Sequence, residues 1–269
     1  MSFDKFILAS DLNRITAKFN LAYFVGEVPY IPSFRIKPGE MSYVLNNYQK
    51  KEILHYQFGL SLPNHQQNIP FVRAEGTRNV DDNPSYTGSK AIFLSPDYNK
   101  LIRFQRCLVL ADAFIVGLEH QNPHVIYLRG KNRPFAFAGL YSNGIGHNEV
   151  KTFAIITTVA NQLLQKLGQK RMPVIIPSEF EYSWLKESSQ LSDILSMLLP
   201  YPVNRMNAYP ISAKIYKSSI NDKSIIHPIG NPIYEEKITT KVMSRLGRKE
   251  SSAIKVHYTL EERMRMSKM

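Results

Sequence analysis

Leu108-Val109-Leu110-Ala111-Asp112-Ala113-Phe114-Ile115-Val116-Gly117-Leu118 is the strongest apolar run of the chain. It is rich in Val, Ile and Phe, which suit a pleated, packed surface, and it reads as one central strand. On its N-terminal side, Ser42–Leu45 and Ile53–Leu60 read as strands, and the polar Asn64–Asn68 as loop. Glu27-Val28-Pro29 and Tyr30-Ile31-Pro32 favour extended backbone, because a proline disfavours the helical region for the residue before it. Pro38-Gly39 reads as a turn. Residues 79–99 carry Asp81, Asp82, Asn83, Pro84, Gly88 and Pro96 and read as an irregular stretch with at most a short helix.

On the C-terminal side, Val125–Leu128 and Pro134–Tyr141 flank Gly130 and Asn132 as a hairpin pair would. Thr152–Thr158 reads as a strand, with Thr157 or Thr158 capping a helix that runs to about Leu167 and stops at Gly168. Val174–Ile176 is a short strand. Ser178, with Glu181 three residues on, has the form of a capping box for a helix through Lys186. Ser192–Leu199 is a second short helix, ended by Pro200. Strands followed by short helices give an α+β chain.

The 269 residues suffice for a core without metal or disulfide support, and 15 Tyr with 14 Phe suit a strand-rich fold. Cys107 is the one cysteine, so neither an internal disulfide nor a zinc thiolate set can form from this chain. The start, Met-Ser-Phe-Asp-Lys-Phe, lacks the basic and apolar blocks of a signal peptide, and no apolar stretch has membrane-spanning length. The expectation is a cytoplasmic monomer with no metal and no cofactor. A formal net charge of +12 attracts polyanions, nucleic acid foremost. The composition changes from about Ile233, where Lys and Arg alternate with small and polar residues. Residues 1–230 are expected to form the main domain, and residues 231–269 a basic C-terminal extension.

The phosphate-binding glycine loop, His-Glu-x-x-His and Gly-x-Ser-x-Gly are all absent, and the histidines are scattered. More specific are Arg35-Ile36-Lys37-Pro38-Gly39, Phe71-Val72-Arg73-Ala74-Glu75 and Arg106-Cys107-Leu108 through Phe114. Ala138-Gly139-Leu140-Tyr141, Ile156-Thr157-Thr158-Val159-Ala160-Asn161 and Arg171-Met172-Pro173-Val174-Ile175 follow. In order and spacing these resemble the SOS response-associated peptidase family over roughly residues 1–230. The resemblance implies a twisted, mostly antiparallel β-sheet forming a barrel-like core with flanking helices, and an activity on abasic sites in single-stranded DNA. In that family a cysteine exposed by removal of the initiator Met captures the opened sugar's aldehyde as a thiazolidine, assisted by an Asn, a Glu and a His.

Matched residue by residue, the nucleophile position holds Ser2, the Asn position Phe71, the Glu position Val116 and the His position Gln169. A serine hydroxyl is a far weaker nucleophile than a thiol without a base to activate it, and glutamine takes no proton near neutral pH. Valine removes the general acid. The resemblance therefore implies a degenerate member, catalytically impaired, that keeps a cleft for single-stranded or abasic DNA. An active enzyme forming an imine through the Ser2 amine, and a non-enzymatic protein-interaction module, stay open beside it.

For DNA contact the resemblance singles out Arg73, with Glu75, Arg106, Arg171, Arg35 and Phe58, the last standing where the family has Trp. Each has a structural reading too. Arg73 and Glu75 could pair across one strand face, Arg106 and Arg171 could brace loops, and Phe58 and Phe71 could be packing groups. Cys107 and Trp184 read as core, and Asp112 as a structural turn or strand-end carboxylate.

Overall fold

The computed structural model describes residues 3–21, 29–49, 52–63, 65–117, 123–130, 133–144, 150–217 and 219–236. Along the chain the elements are β1 (Phe3–Leu8), α1 (Leu12–Phe19), β2 (Ser33–Ile36), β3 (Met41–Asn46), β4 (Leu54–Phe58), β5 (Phe71–Arg73) and α2 (Pro96–Phe104). Then come β6 (Arg106–Ala111), β7 (Ala113–Val116), β8 (His124–Leu128), β9 (Phe135–Ser142), β10 (Thr152–Val159) and α3 (Gln162–Lys166). The last are β11 (Arg171–Pro173), β12 (Ile175–Ile176), α4 (Glu181–Leu185), α5 (Leu191–Ser196), β13 (Met206–Pro210) and α6 (Lys214–Lys217).

The fold is α+β, with two sheets. One is open and wholly antiparallel, in the order β13-β8-β7-β1-β2. In the other, β10, β4, β3, β6 and β9 follow one another by hydrogen bonding, and β9 pairs back onto β10, so five strands close a ring. Its parallel pairings are β10 with β4 and β10 with β5. Closure requires Gly139, which faces Cys107 on one side and Ile155 on the other. A Cβ there would stand 2.7 Å from Cys107 Sγ and 2.9 Å from Val109 Cγ2.

The run Leu108–Leu118, expected as a single strand, divides at Asp112. Its first part is β6, in the ring; its second is β7, in the open sheet. Asp112 holds the junction: Oδ2 accepts from the main-chain N–H of Ala9 and of Ser10, each at 2.7 Å, and Oδ1 accepts from Ser10 Oγ at 2.5 Å. It is a strand-end carboxylate, as read. Either side of Asp112 the strand residues of the run are apolar because each half is covered on both faces. Along β7, Phe114 and Val116 join the main core while Ala113 and Ile115 join a second cluster with Ile7, Val125 and Tyr209.

Other local expectations shift for physical reasons. Thr157 and Thr158 do not cap α3: β10 runs on through Val159, and Asn161 caps instead, accepting from Leu164 N at 3.1 Å. Ser178 opens a short 3-10 turn, and the Glu181 carboxylate turns away to Lys18 Nζ at 3.1 Å rather than closing a capping box. α2 starts at Pro96, whose fixed φ and missing N–H suit a first helical position, and it buries Leu101 and Ile102. α1, which the sequence reading did not mark, has Asp11 as its cap and turns Leu12, Ile15 and Phe19, at helical spacing, toward the core. Trp184 and Cys107 are core residues.

Residues 231–236, placed in the extension by composition, pack along β13. Ile233 N donates to Ala208 O, Tyr234 N to Asn207 Oδ1, and Glu236 Oε1 accepts from Tyr127 OH and Asn207 Nδ2. The remainder, 237–269, lies outside the described residues. Among the described residues no helix is long and apolar enough to cross a membrane.

Candidate functional site

The open sheet meets the ring through aromatic side chains. Phe3 pairs with Val116 across β1 and β7, and its ring lies 5.1 Å from Phe71, 5.2 Å from Phe114 and 6.1 Å from Phe137. Phe58 meets Phe71 edge-on at 5.5 Å and stacks on Phe153 at 5.1 Å; Phe6 lies 5.6 Å from Phe58. The sequence thus brings two expected site positions, Phe71 and Val116, to one place, but as packing partners of Phe3. Ser2 lies outside the described residues. Phe3, the first described residue, is buried, with its ring against Phe71 and its backbone paired with Val116. None of these side chains can give or take a proton.

Gln169 completes the turn after α3: its Nε2 donates to Leu167 O at 3.1 Å and its N–H to Leu164 O at 2.9 Å. Phe58 is fully buried, with Phe6, Phe71 and Phe153 packed on its ring, so it serves the core rather than an incoming base.

Beside the aromatic cluster stands a charged network built where β5, β10 and β11 run side by side. Arg73 and Pro173 both pair with Thr157. Glu75 is wholly buried and is met by Lys90 Nζ at 2.8 Å, Thr158 Oγ1 at 2.7 Å and Arg171 Nη2 at 2.7 Å. Burial alone raises its pKa; the hydrogen bonds from Lys90, Arg171 and Thr158 and the Arg171 charge outweigh that and bring the carboxyl down to about 2. Arg171 also donates Nε to Thr157 Oγ1 at 3.0 Å and Nη2 to Thr157 O at 2.7 Å.

Arg73 does not pair with Glu75. Its Nη1 donates to Val80 O at 2.9 Å and Asn79 O at 3.3 Å, and its Nη2 to Asp82 Oδ2 at 3.1 Å. Asp82 Oδ1 accepts from Arg171 Nη1 at 3.0 Å, so one carboxylate bridges two guanidinium groups. The turn that carries it is braced by Asn79, whose side chain bonds Asn83 N and Asn83 O. Sequence reasoning missed Asp82 and Lys90. Asp81-Asp82-Asn83-Pro84 announces a turn, but nothing in its pattern names the arginines it meets.

The other expected contacts lie apart from this network. Arg106 is buried, and its guanidinium donates to Trp184 O at 2.7 Å, Lys186 O at 2.7 Å, Ile102 O at 2.9 Å and Arg103 O. Burial brings its pKa down to about 10, with Glu187 and Tyr141 acting in the opposite sense. It braces the C-terminal ends of α2 and α4. Arg35, on β2 of the open sheet, donates Nη2 to Ser219 O at 3.3 Å. Among the described residues, no three His, Cys, Asp or Glu side chains gather as a metal site.

Comparison with known proteins places this geometry in a lineage. The profile of the family described as SOS response associated peptidase (SRAP) matches residues 4–218. The abasic site processing protein YoqW of Bacillus subtilis is 29% identical over 232 residues, covering 82% of this chain and 97% of that protein. The abasic site processing protein YobE of the same organism is 29% identical over 219 residues, covering 78% and 94%. A crystal structure of a protein from Bacteroides thetaiotaomicron shares the fold with a TM-score of 0.65 at 23% identity, covering 83% of this chain and 99% of that one. With a profile match across most of its length, this chain belongs to the SRAP family.

Proposed function

We propose that this chain is a SRAP-family protein without the covalent chemistry, which holds single-stranded DNA by reversible contacts. The relatives' names, abasic site processing proteins, supply the substrate class. The observation that carries the reading is the aromatic packing of Phe3 against Phe71 and across from Val116. Where capture of an aldehyde needs a nucleophile, a proton donor and a base, this chain offers hydrocarbon faces. An apolar, water-excluded seat also disfavours the charged intermediates through which an aldehyde and an amine or thiol combine. What remains for DNA is charge: the molecule's net +12 and the arginines beside the cluster.

The test incubates the mature full-length protein with a single-stranded oligonucleotide carrying one abasic site, and separately with the intact oligonucleotide. Denaturing electrophoresis is run with and without borohydride. We expect no species that survives denaturation in either case. Fluorescence anisotropy should give similar affinities for both strands, weakening steeply between about 50 and 200 mM salt as counterion release requires. A denaturation-resistant adduct confined to abasic DNA refutes the reading and makes the chain an enzyme. A species trapped by borohydride alone refutes it in favour of a transient imine at the Ser2 amine. Absence of any binding at low salt leaves the interaction-module reading in its place.

A further inference from the structure

We infer that Asp82 acts as an internal stand-in for a phosphodiester group, holding closed the seat formed by Arg73 and Arg171, two arginines that the resemblance assigns to DNA contact. The inference rests on the reversible DNA-binding reading above and adds to it the residue that holds the site closed.

The geometry is that of oxyanion recognition. One carboxylate gives Oδ1 to Arg171 Nη1 at 3.0 Å and Oδ2 to Arg73 Nη2 at 3.1 Å, so each oxygen takes a different guanidinium. A phosphodiester has two non-bridging oxygens in a comparable fork, and guanidinium groups are the side chains best matched to it. The two arginines come from different strands, β5 and β11, and their positions are set without Asp82. Arg171 is held by Glu75 and Thr157, and Arg73 by the carbonyls of Asn79 and Val80. Removing the carboxylate therefore leaves the seat standing.

Charge points the same way. Lys90 and Arg171 share Glu75, whereas Asp82 is the carboxylate that Arg73 meets, and the five charged groups sum to one net positive charge. The seat opens to solvent on one side: the side chains of Arg73 and Asp82 are 39% and 21% exposed, while Arg171 behind them is 2% exposed. Asp82 is also borne on a turn rather than in the sheet, at φ +52°, so it can leave without breaking a strand pairing. As part of the same chain it competes with an incoming phosphate at high effective concentration. A lone phosphate is thus excluded, while a strand making several contacts can displace it.

The substitution that isolates this device is Asp82→Asn, which removes the charge and tolerates a positive φ. Asp81→Asn is the charge-matched control, since exposed Asp81 adjoins the seat in sequence and the same unit of charge is removed. Affinity for a fluorescein-labelled single-stranded oligonucleotide is read by anisotropy against salt. We expect D82N to bind on the order of tenfold more tightly than wild type, as one additional charge-assisted contact would give. Its salt slope should steepen by about one phosphate contact, D81N should stay near wild type, and D82N combined with Arg73→Gln should lose the gain. If D82N melts early, Asp82→Gly serves in its place, because glycine suits the backbone angle. If wild type binds and D82N binds no better than D81N, Asp82 is a structural carboxylate and the inference falls while the DNA-binding reading stands. A gain that survives R73Q refutes the seat as well. If neither wild type nor any variant binds at low salt, both fall together.

Discussion

Glu75 is the residue on which the charged network turns. Its carboxylate takes Arg171, Lys90 and Thr158 at once, and its pKa drops from an ordinary 4.5 to about 2. A depressed carboxylate pKa means that the folded state holds the charged form more strongly than the unfolded chain does. Its contribution is complete above pH 4.5 and disappears as pH falls through about 2. Glu75→Gln should lower the melting temperature at pH 7 and flatten the acid limb of the stability curve between those two values, as thermal melts across pH will record. An unchanged acid limb means that other carboxylates govern acid unfolding. At this scale, Arg73, Glu75 and Arg171 stood among six residues the resemblance assigns to DNA contact, of which Arg106, Arg35 and Phe58 lie apart from the network. Asp82 was not legible in the sequence, because it lies 89 residues from Arg171 and only the fold brings them together.

At the scale of elements, the decisive feature is the break between β6 and β7. Apart from Asp112 and Gly117, the eleven residues are apolar, which announces burial on both faces, and alternation, the usual clue to where a strand changes sheets, is absent for that reason. Asp112 is the interruption, and its function is to satisfy the main-chain N–H groups of Ala9 and Ser10 at the end of β1. Asp112→Ala should cost about 3 kcal/mol, since it removes charge-assisted bonds to two amide donors and a hydroxyl. Urea denaturation will measure this, and a loss under 1 kcal/mol would mean that water replaces the carboxylate at little cost. Arg106 acts in the same way between helices. It gives one guanidinium to carbonyls at the ends of α2 and α4, which explains why a strongly basic residue at the edge of the apolar run is buried.

Across the whole molecule, the ring and the open sheet share one aromatic core. Phe137 of the ring lies 5.8 Å from Phe6, 5.9 Å from Phe114 and 6.1 Å from Phe3, all on the open sheet. The two sheets should therefore unfold as one unit. Phe137→Ala is expected to cost about 3–5 kcal/mol. Native-state hydrogen exchange should show amides of β1 and β7 losing as much protection as those of β6 and β9. Loss confined to the ring strands would make the sheets independent. Of the positions the resemblance assigns, Val116 lies in this shared core and Phe71 packs against it.

The sequence by itself determined which side chains stand at the four positions the resemblance assigns: Ser2, Phe71, Val116 and Gln169, with no thiol, carboxylic acid or imidazole among them. Residue identity is a local property, and so is the burial that a continuous apolar run demands. Only the tertiary structure decided that the run serves two sheets, that Phe3 fills the space beside Phe71, and that Asp82 lies between two arginines. These are contacts between residues far apart in the chain. Their partners are chosen by the closure of the ring and the packing of one sheet on the other, which no local pattern of polar and apolar residues encodes.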